Sequence, residues 1–399
     1  MKLLFLSYWG VGEGLTSATV IPHLRILSGL SSVEQIIFCS IEREAQDINS
    51  LEIEKVKHFP LFSRRTNSLL LTKFADFTTF PKIIVGLCKE FRVDVIICRS
   101  PMAGAIGYLV WQKIKMPYIV ESFEPHAVSM YESGVWKWFD PRLWIQKYFE
   151  TRQKKTADKI LPVSNHYCSA LRKEGIDPSR LITMPCCVPI RKFEFKGSAR
   201  VTKRAHLGIK EHETVGIYVG KFGGIYYDGE AFKLFRSAFD FFGSTFKLMI
   251  LSADDRVKIM SRLVRNKLPL DRIFFDSVAH ADVPEYLSAA DFAFSTIKPV
   301  PSRLYCSPIK NGEYWANGLP ILTEKGIGDD SDIIADEGGG VILDMDNRDT
   351  AFAAMRNLVE TGREKLAEQI SQLAYKHRRL ALVEKVYASL FADKDLPSF

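Results

Sequence analysis

The sequence predicts an α/β fold of two doubly wound parallel sheets in tandem. Three observations carry that expectation. The chain has 399 residues, about two domains at roughly 100–200 residues each. Short β-branched and aromatic runs alternate with longer stretches of helical periodicity. After a polar, basic stretch at 191–206 the same rhythm starts again. Together these describe two Rossmann-like domains facing a cleft.

The first series of strand-like runs is 2–7, 35–40, 94–98, 118–122, 159–164 and 181–184. Each is almost continuously apolar, as strands covered on both faces must be. The second series is 214–220, 246–251, 272–276, 291–296, 319–323 and 340–343, and beyond residue 346 the chain reads as helix almost to 392. The expected domains are 1–195, 196–375, and a terminal helix and tail at 376–399 that packs back on the first domain.

Composition sets the class. Apolar residues make up 47% and charged residues 25% of the chain, enough to fill large cores. No apolar run reaches the ~20 residues that span a bilayer, and the first residues enter a strand without a charged-then-apolar leader. The expectation is a cytoplasmic protein, at most peripheral on the inner face of a membrane. Seven cysteines (Cys39, Cys88, Cys98, Cys168, Cys186, Cys187, Cys306) show no CxxC pairing and read as reduced, mostly buried thiols.

Net charge is +7, unevenly spread: residues 1–200 hold 28 Lys+Arg against 19 Asp+Glu, residues 201–399 hold 26 against 28. A basic first half suits phosphates or anionic lipid. No RNP, zinc-finger or basic-zipper pattern accompanies it, so nucleic acid is not an expected partner.

Open parallel sheets bind ligands at the carboxyl ends of their strands, so the loops after strands are where chemistry is expected. The first is Tyr8-Trp9-Gly10-Val11-Gly12-Glu13-Gly14, in which Gly10, Gly12 and Gly14 permit positive φ and close backbone approach, with Thr16 or Ser17 as a helix cap. Its spacing is GxGxG, not GxGxxG, although Glu42 stands about where a ribose-binding acid falls. A tight structural turn and a donor-facing loop remain equal readings. After the fourth run, Glu121, Glu124 and His126 place two carboxylates and an imidazole at a strand end. Such a cluster orients a sugar hydroxyl, accepts a proton or stabilises positive charge at an anomeric carbon; capping and packing are the plainer alternative.

In the second half, Gly220-Lys221-Phe222-Gly223-Gly224 follows a strand and combines glycines with one cation, a turn suited to a diphosphate. It lacks the spacing of a Walker loop. The most specific segment is 307–322. Ser307 is expected to cap a helix with Pro308 at its first position, and Gly318 and Pro320 to end it before a strand. Lys310 and Glu313 then share a helical face, the lysine toward phosphate and the glutamate toward ribose.

With these segments in view, the chain resembles a GT-B glycosyltransferase, close to glycosyltransferase family 4. The likeness spans nearly the whole chain, including Ala157-Asp158-Lys159-Ile160-Leu161-Pro162-Val163-Ser164, Asp282-Val283-Pro284-Glu285-Tyr286-Leu287 and Gly312-Glu313 through Gly318-Leu319-Pro320. By this resemblance the donor-diphosphate cation falls on Lys221 and the ribose-binding glutamate on Glu313. The sequence departs from the family pattern at Tyr305, where a first glutamate is expected, and near Asp228, where a second cation is expected; Lys310 resembles the lysine of bacterial surface-polysaccharide enzymes that supplies this charge. The family's histidine after the fourth strand falls at Phe123 by ungapped matching, and its role passes to His126.

Asp330-Ser331-Asp332 mimics a metal-chelating DxD but follows a Gly-rich turn and reads as the cap of a helix at 332–337. No metal and no cofactor is expected. The run at 135–149 interleaves aromatics with cations and is followed by Arg152, Lys154 and Lys155. It reads either as an interfacial helix at an anionic membrane or as an ordinary helix with its aromatics in the core.

The resulting expectation is a sugar transferase with catalytic residues His126, Glu124 and Glu121. Its donor residues are Gly12, Gly14, Gly220, Lys221, Gly223, Ser307, Lys310 and Glu313. Its partners are a nucleotide sugar and a glycan or lipid-linked acceptor, and the resemblance implies retention of anomeric configuration. The alternatives are a nucleotide-sugar 2-epimerase of the same architecture and a non-catalytic binding subunit.

Overall fold

The computed structural model describes residues 1–43, 51–63 and 69–392. The chain divides into two compact units. One contains the described residues of 1–128, 137–187 and 380–392; the other contains residues 129–136 and 188–379.

The first unit holds strands β1 (Lys2–Ser7), β2 (Gln35–Glu42), β3 (Val56–His58), β4 (Leu61–Phe62), β5 (Val95–Arg99), β6 (Tyr118–Phe123) and β7 (Lys159–Pro162). They run parallel in the order β3-β2-β1-β5-β6-β7, with β4 beside the end of β2. On one face, Leu3, Phe5, Ile36, Phe38 and Ile97 pack with Val20, Leu24 and Leu27 and with Val383, Tyr387 and Phe391 of the helix Leu380–Phe391. Removing these apolar surfaces from water stabilises the layer by roughly 1.5–3 kcal/mol per large side chain.

The structure differs from expectation at two places in this sheet. Residues 181–184 form one isolated bridge, Leu181 to Ile160, and not a strand; only the Ile182 and Met184 amides reach β7 carbonyls. Strands β3 and β4 were not anticipated. They are three and two residues long, half exposed, and separated by Phe59 and Pro60, so they carry no readable apolar period.

The second unit holds β8 (Thr214–Val219), β9 (Phe246–Leu251), β10 (Ile273–Asp276), β11 (Phe292–Ser295), β12 (Ile321–Glu324) and β13 (Gly340–Leu343). All are parallel, in the order β10-β9-β8-β11-β12-β13. Alternation in β8 is clean: Val215, Ile217 and Val219 enter one core with Leu287, Trp315 and Ile370, while Tyr218 enters the other with Phe232, Phe235, Phe246, Phe292 and Phe294. Gly216 must be small, because a Cβ there would stand 2.7 Å from Phe294 and 2.9 Å from Phe246. In both sheets the order reverses beside the first strand of the unit, the topological switch point at which such sheets take ligands.

Candidate functional site

In the second unit, the chain leaves β8 through Gly220 and Lys221. Gly223 and Gly224 have φ of 81° and 63°, a region that a residue without a Cβ enters without strain. The turn spends its own amides. Gly220 donates to the Leu251 carbonyl, Phe222 to Asp254 at 2.7 Å and Gly223 to the Tyr227 carbonyl at 3.0 Å, and the Tyr218 hydroxyl donates to the Lys221 carbonyl. The Gly220 and Gly223 amides are therefore not left for a diphosphate; these glycines shape the turn.

What the turn leaves available is cationic charge. Lys221 is exposed, and the Lys310 ε-carbon passes 3.6 Å from where a Cβ on Gly220 would stand. No carboxylate among the described residues pairs with either lysine. Asp228, where the family pattern expects a second cation, is itself held by Arg262, one guanidinium nitrogen 3.2 Å from Oδ2.

Lys310 comes from the helix Ile309–Ala316. Ser307 does not cap this helix, a correction to the sequence expectation: the capping position belongs to Pro308, with no side-chain bond, because the Arg378 guanidinium donates to the Ser307 hydroxyl. The helix is fixed by other ties. The Val219 amide donates to the Tyr314 hydroxyl at 3.3 Å, Trp315 Nε1 donates to the Gly339 carbonyl at 2.9 Å, and Asn311 Nδ2 donates to Asp330 at 2.9 Å. Beyond the helix, Gly318 has φ 65° and packs so tightly that a Cβ would stand 2.2 Å from the Ala367 Cα. Only glycine fits this stop.

Glu313 lies inside, its side chain 3% exposed. One oxygen, Oε1, is 2.8 Å from His280 Nε2; the other, Oε2, is buried with no protein partner. His280 Nδ1 lies 3.3 Å from Lys192 Nζ. An ammonium can only donate, so Nδ1 accepts and Nε2 carries the proton given to Glu313. His280 was missed in the sequence because it stands alone after β10, 33 residues from its partner, and no motif marks it.

Asp330 is likewise not a cap. The helix runs Asp330–Glu337 with no side-chain cap bond, and the Asp330 carboxylate is buried against Arg378 and Asn311. Among the described residues, no group of three or more His, Cys, Asp or Glu side chains is arranged to hold a metal ion.

In the first unit, the loop after β1 is closed by its acids. Glu42 accepts the Val11 amide at 3.0 Å and the Ser40 hydroxyl at 2.5 Å, and it fills the space where Gly10 lacks a Cβ. Glu13 accepts the Gly10 amide and pairs with Arg43. Glu42 is thus spent on holding the loop, which removes the ribose reading from it. Gly10, Gly12 and Gly14 all have ordinary φ, and Gly12 and Gly14 are exposed. The helix Gly14–Thr19 has no side-chain cap, since the Thr16 hydroxyl donates back to the Gly10 carbonyl.

The cluster at the end of β6 separates. Glu121 is fully buried: the Tyr387 hydroxyl donates to it, and His23 Nδ1 and Arg99 each lie 3.6 Å away. Burial alone would push its carboxyl up, but the charges of Arg99 and His23, with hydrogen bonds from His23 and Tyr387, bring it below the usual range. Burial, followed by the charge of Arg99, lowers His23. A side chain so enclosed holds the terminal helix to the sheet and cannot touch a substrate. Glu124 on the loop and His126 at the start of the helix His126–Glu132 are half-buried, 3.5 Å apart. Behind them Glu150, unforeseen from sequence, accepts the Ala127 amide and Gln146 Nε2, each at 2.9 Å. Burial pushes its carboxyl up to about 7.

No protein-family model matches the sequence, and neither does any curated protein. Solved structures match over the full chain. Sucrose-phosphate synthase from Thermosynechococcus elongatus shares 16% identity, covering 99% of this chain and 100% of its own, with a TM-score of 0.76. Anabaena HepE, solved in complex with UDP and glucose, shares 14% over 99% and 100%, TM-score 0.71. WaaG, a glycosyltransferase involved in lipopolysaccharide biosynthesis, shares 17% over 98% and 100%, TM-score 0.69. Two units, each a parallel sheet with the switch point beside its first strand, thus place this chain in the GT-B fold.

Proposed function

We propose that the protein is a glycosyltransferase that moves a sugar from a nucleoside-diphosphate sugar to a glycan or lipid-linked acceptor in surface-polysaccharide or glycolipid synthesis. The observation that carries this reading is the half-satisfied carboxylate of Glu313. A buried charged acceptor without a partner costs about 1–3 kcal/mol or more, and a ribose hydroxyl donating to Oε2 recovers it. Beside it, Lys310 and Lys221 supply two uncompensated cations at the end of β8, where the diphosphate of a nucleotide bound through its ribose would lie. The relatives of this fold support the donor class: HepE binds UDP and glucose.

The chemistry assigned to the chain's own residues follows from charge. As the glycosidic bond to phosphate breaks, negative charge grows on the leaving diphosphate, and Lys221 and Lys310 stabilise it more in the transition state than in the ground state. His126, with Glu124 3.5 Å away, is assigned to orienting the acceptor hydroxyl or the transferring sugar. Retention rests on the family resemblance.

A panel of UDP, GDP, ADP and their sugars tests the reading, first by thermal shift and then by product analysis. A transferase releases nucleoside diphosphate and transfers sugar only with acceptor present. A 2-epimerase, whose architecture is the same, interconverts two nucleotide sugars without acceptor, and a binding subunit shifts its melting temperature while consuming nothing. A chain whose melting temperature no nucleotide moves overturns the donor site itself.

A further inference from the structure

The first unit carries an apolar outer surface that its own packing does not use. On and just before the helix Pro141–Thr156, Trp138 is 68% exposed and Trp144 55%, with Phe139, Ile145 and Tyr148 also open to solvent. The helix Leu69–Phe91 adds Leu71 and Phe74, the latter 70% exposed. Two sets of contacts order these side chains. Trp144 Nε1 donates to the Trp138 carbonyl at 2.8 Å, and Phe139 meets Trp138 edge-on at 5.8 Å. Tyr148 contacts Phe149, which stacks on Phe77 at 5.4 Å, and Phe77 stands one helical turn from Phe74. Trp136, by contrast, is buried, so the aromatic run splits between core and surface.

The charge around this surface has one sign. Asp140 is neutralised by the guanidinium of Arg142, Glu150 is buried and hydrogen bonded, and Lys154 is paired with Glu174. Lys137, Lys147, Arg152 and Lys155 remain exposed, with no carboxylate among the described residues on any of them. Lys147 lies 5.6 Å from the Trp144 ring and Arg152 4.9 Å from the Tyr148 ring. Such long stems lie along apolar surface and carry their charge to its edge, the arrangement of side chains that reach up to headgroups while rings sit below them.

We propose that this face seats the protein on an anionic lipid bilayer, Trp138, Phe139, Trp144 and Phe74 entering the headgroup region and the four cations meeting anionic headgroups. Among the described residues no helix is long and apolar enough to cross a membrane, so this is attachment in the plane of the surface. The inference deepens the acceptor half of the proposed function by selecting a lipid-linked acceptor. Its test needs neither nucleotide nor acceptor, so it stands or falls separately from the donor site.

The experiment is cosedimentation of the full chain with vesicles of phosphatidylglycerol and phosphatidylcholine, against vesicles of phosphatidylcholine alone. The protein should pellet with anionic vesicles at low salt, and stay in solution with neutral vesicles or at molar salt, where screening shortens to about 3 Å. K137Q/K147Q/R152Q/K155Q should lower the partition coefficient roughly tenfold or more. W138S/W144S should lose the blue shift of tryptophan emission that the parent shows on anionic vesicles. If W138S/W144S melts early, quenching of the parent's fluorescence by brominated lipid replaces it. A parent protein that ignores anionic vesicles at low salt, full binding by a folded quadruple variant, absence of quenching, or a soluble dimer that W138S dissociates would each overturn the proposal, the last in favour of a second copy as occupant.

Discussion

His280 Nε2 and Glu313 Oε1 meet at 2.8 Å, and this bond fixes which oxygen of a buried carboxylate is left for a ligand. A carboxylate free to rotate would exchange its two oxygens; one held by an imidazole that is itself oriented by Lys192 presents Oε2 in one direction.

Glu313→Ala should therefore weaken nucleoside-diphosphate binding by about 1–3 kcal/mol, the cost of a lost hydrogen bond to a charged group. His280→Ala should weaken it by less, and should narrow the discrimination between UDP and 2′-deoxy-UDP, the 2′-hydroxyl being the donor to Oε2. Calorimetry on folded variants decides. Equal affinity of parent and Glu313→Ala for every diphosphate would remove Glu313 from the site.

Lys310→Ala should act on the diphosphate and not on the nucleoside. A cation near phosphate contributes about 1.5–3 kcal/mol when its bond is charge-assisted, so the ratio of UDP to UMP affinity should fall in this variant while uridine binding stays unchanged. A uniform loss across all three ligands would make Lys310 a packing residue beside Gly220.

The strand rhythm was legible because buried parallel strands must be apolar on both faces: β1, β9 and β13 coincide with the predicted ranges and β2, β5, β6, β7, β8, β10, β11 and β12 differ by one or two residues at an end, whereas 181–184 is no strand and β3 and β4 gave no signal. The helix with Glu313 was legible from Gly318 and Pro320, whose backbone demands are local. Three things were not. Ser307, Asp330 and Thr16 looked like caps because capping is a local preference, but Arg378 reaches Ser307 and Asp330 from 48 residues or more along the chain. Glu121 looked like its neighbours Glu124 and His126, yet a bulge between Glu121 and Phe123 and the helix of Tyr387 turn it into the interior. His280 had no local signal at all. Apart from Thr16, whose hydroxyl turns back to Gly10 six residues away, contacts between residues far apart in sequence decide these cases, and neither period nor motif reports them.

His126→Ala should lower kcat roughly tenfold or more, as expected for loss of a proton-handling or orienting group, with nucleotide affinity unchanged. Steady-state kinetics with a donor found in the thermal-shift panel separates the outcomes. If kcat holds within about twofold while donor KM rises, the histidine serves donor binding instead.

Tyr387→Phe should destabilise the protein by about 1–3 kcal/mol without altering nucleotide affinity. Its hydroxyl donates to Glu121 and lies 2.7 Å from His23 Nδ1, so removing it leaves a buried carboxylate with one fewer donor. A urea midpoint identical to the parent's would show that the terminal helix is held by Val383 and Phe391 alone.

Glu150 should make stability depend on pH in a direction opposite to that of most carboxylates. Burial holds its folded value at about 7, above the ordinary 4.5, so between those values the folded chain keeps a proton that the unfolded chain releases. Stability from this group is greatest below the ordinary carboxylate range, declines as pH rises toward about 7 and is flat above it, a total of about 3 kcal/mol. Glu150→Gln retains an acceptor for the Ala127 amide and cannot ionise, so the variant should gain on the parent as pH rises over that window. Chemical unfolding at acidic, neutral and alkaline pH measures the difference between the two curves, which cancels every other titrating group. Parallel curves would mean that Glu150 releases its proton alike in the folded and unfolded chains, the hydrogen bonds from Gln146 and Ala127 and the charge of Lys154 offsetting its burial.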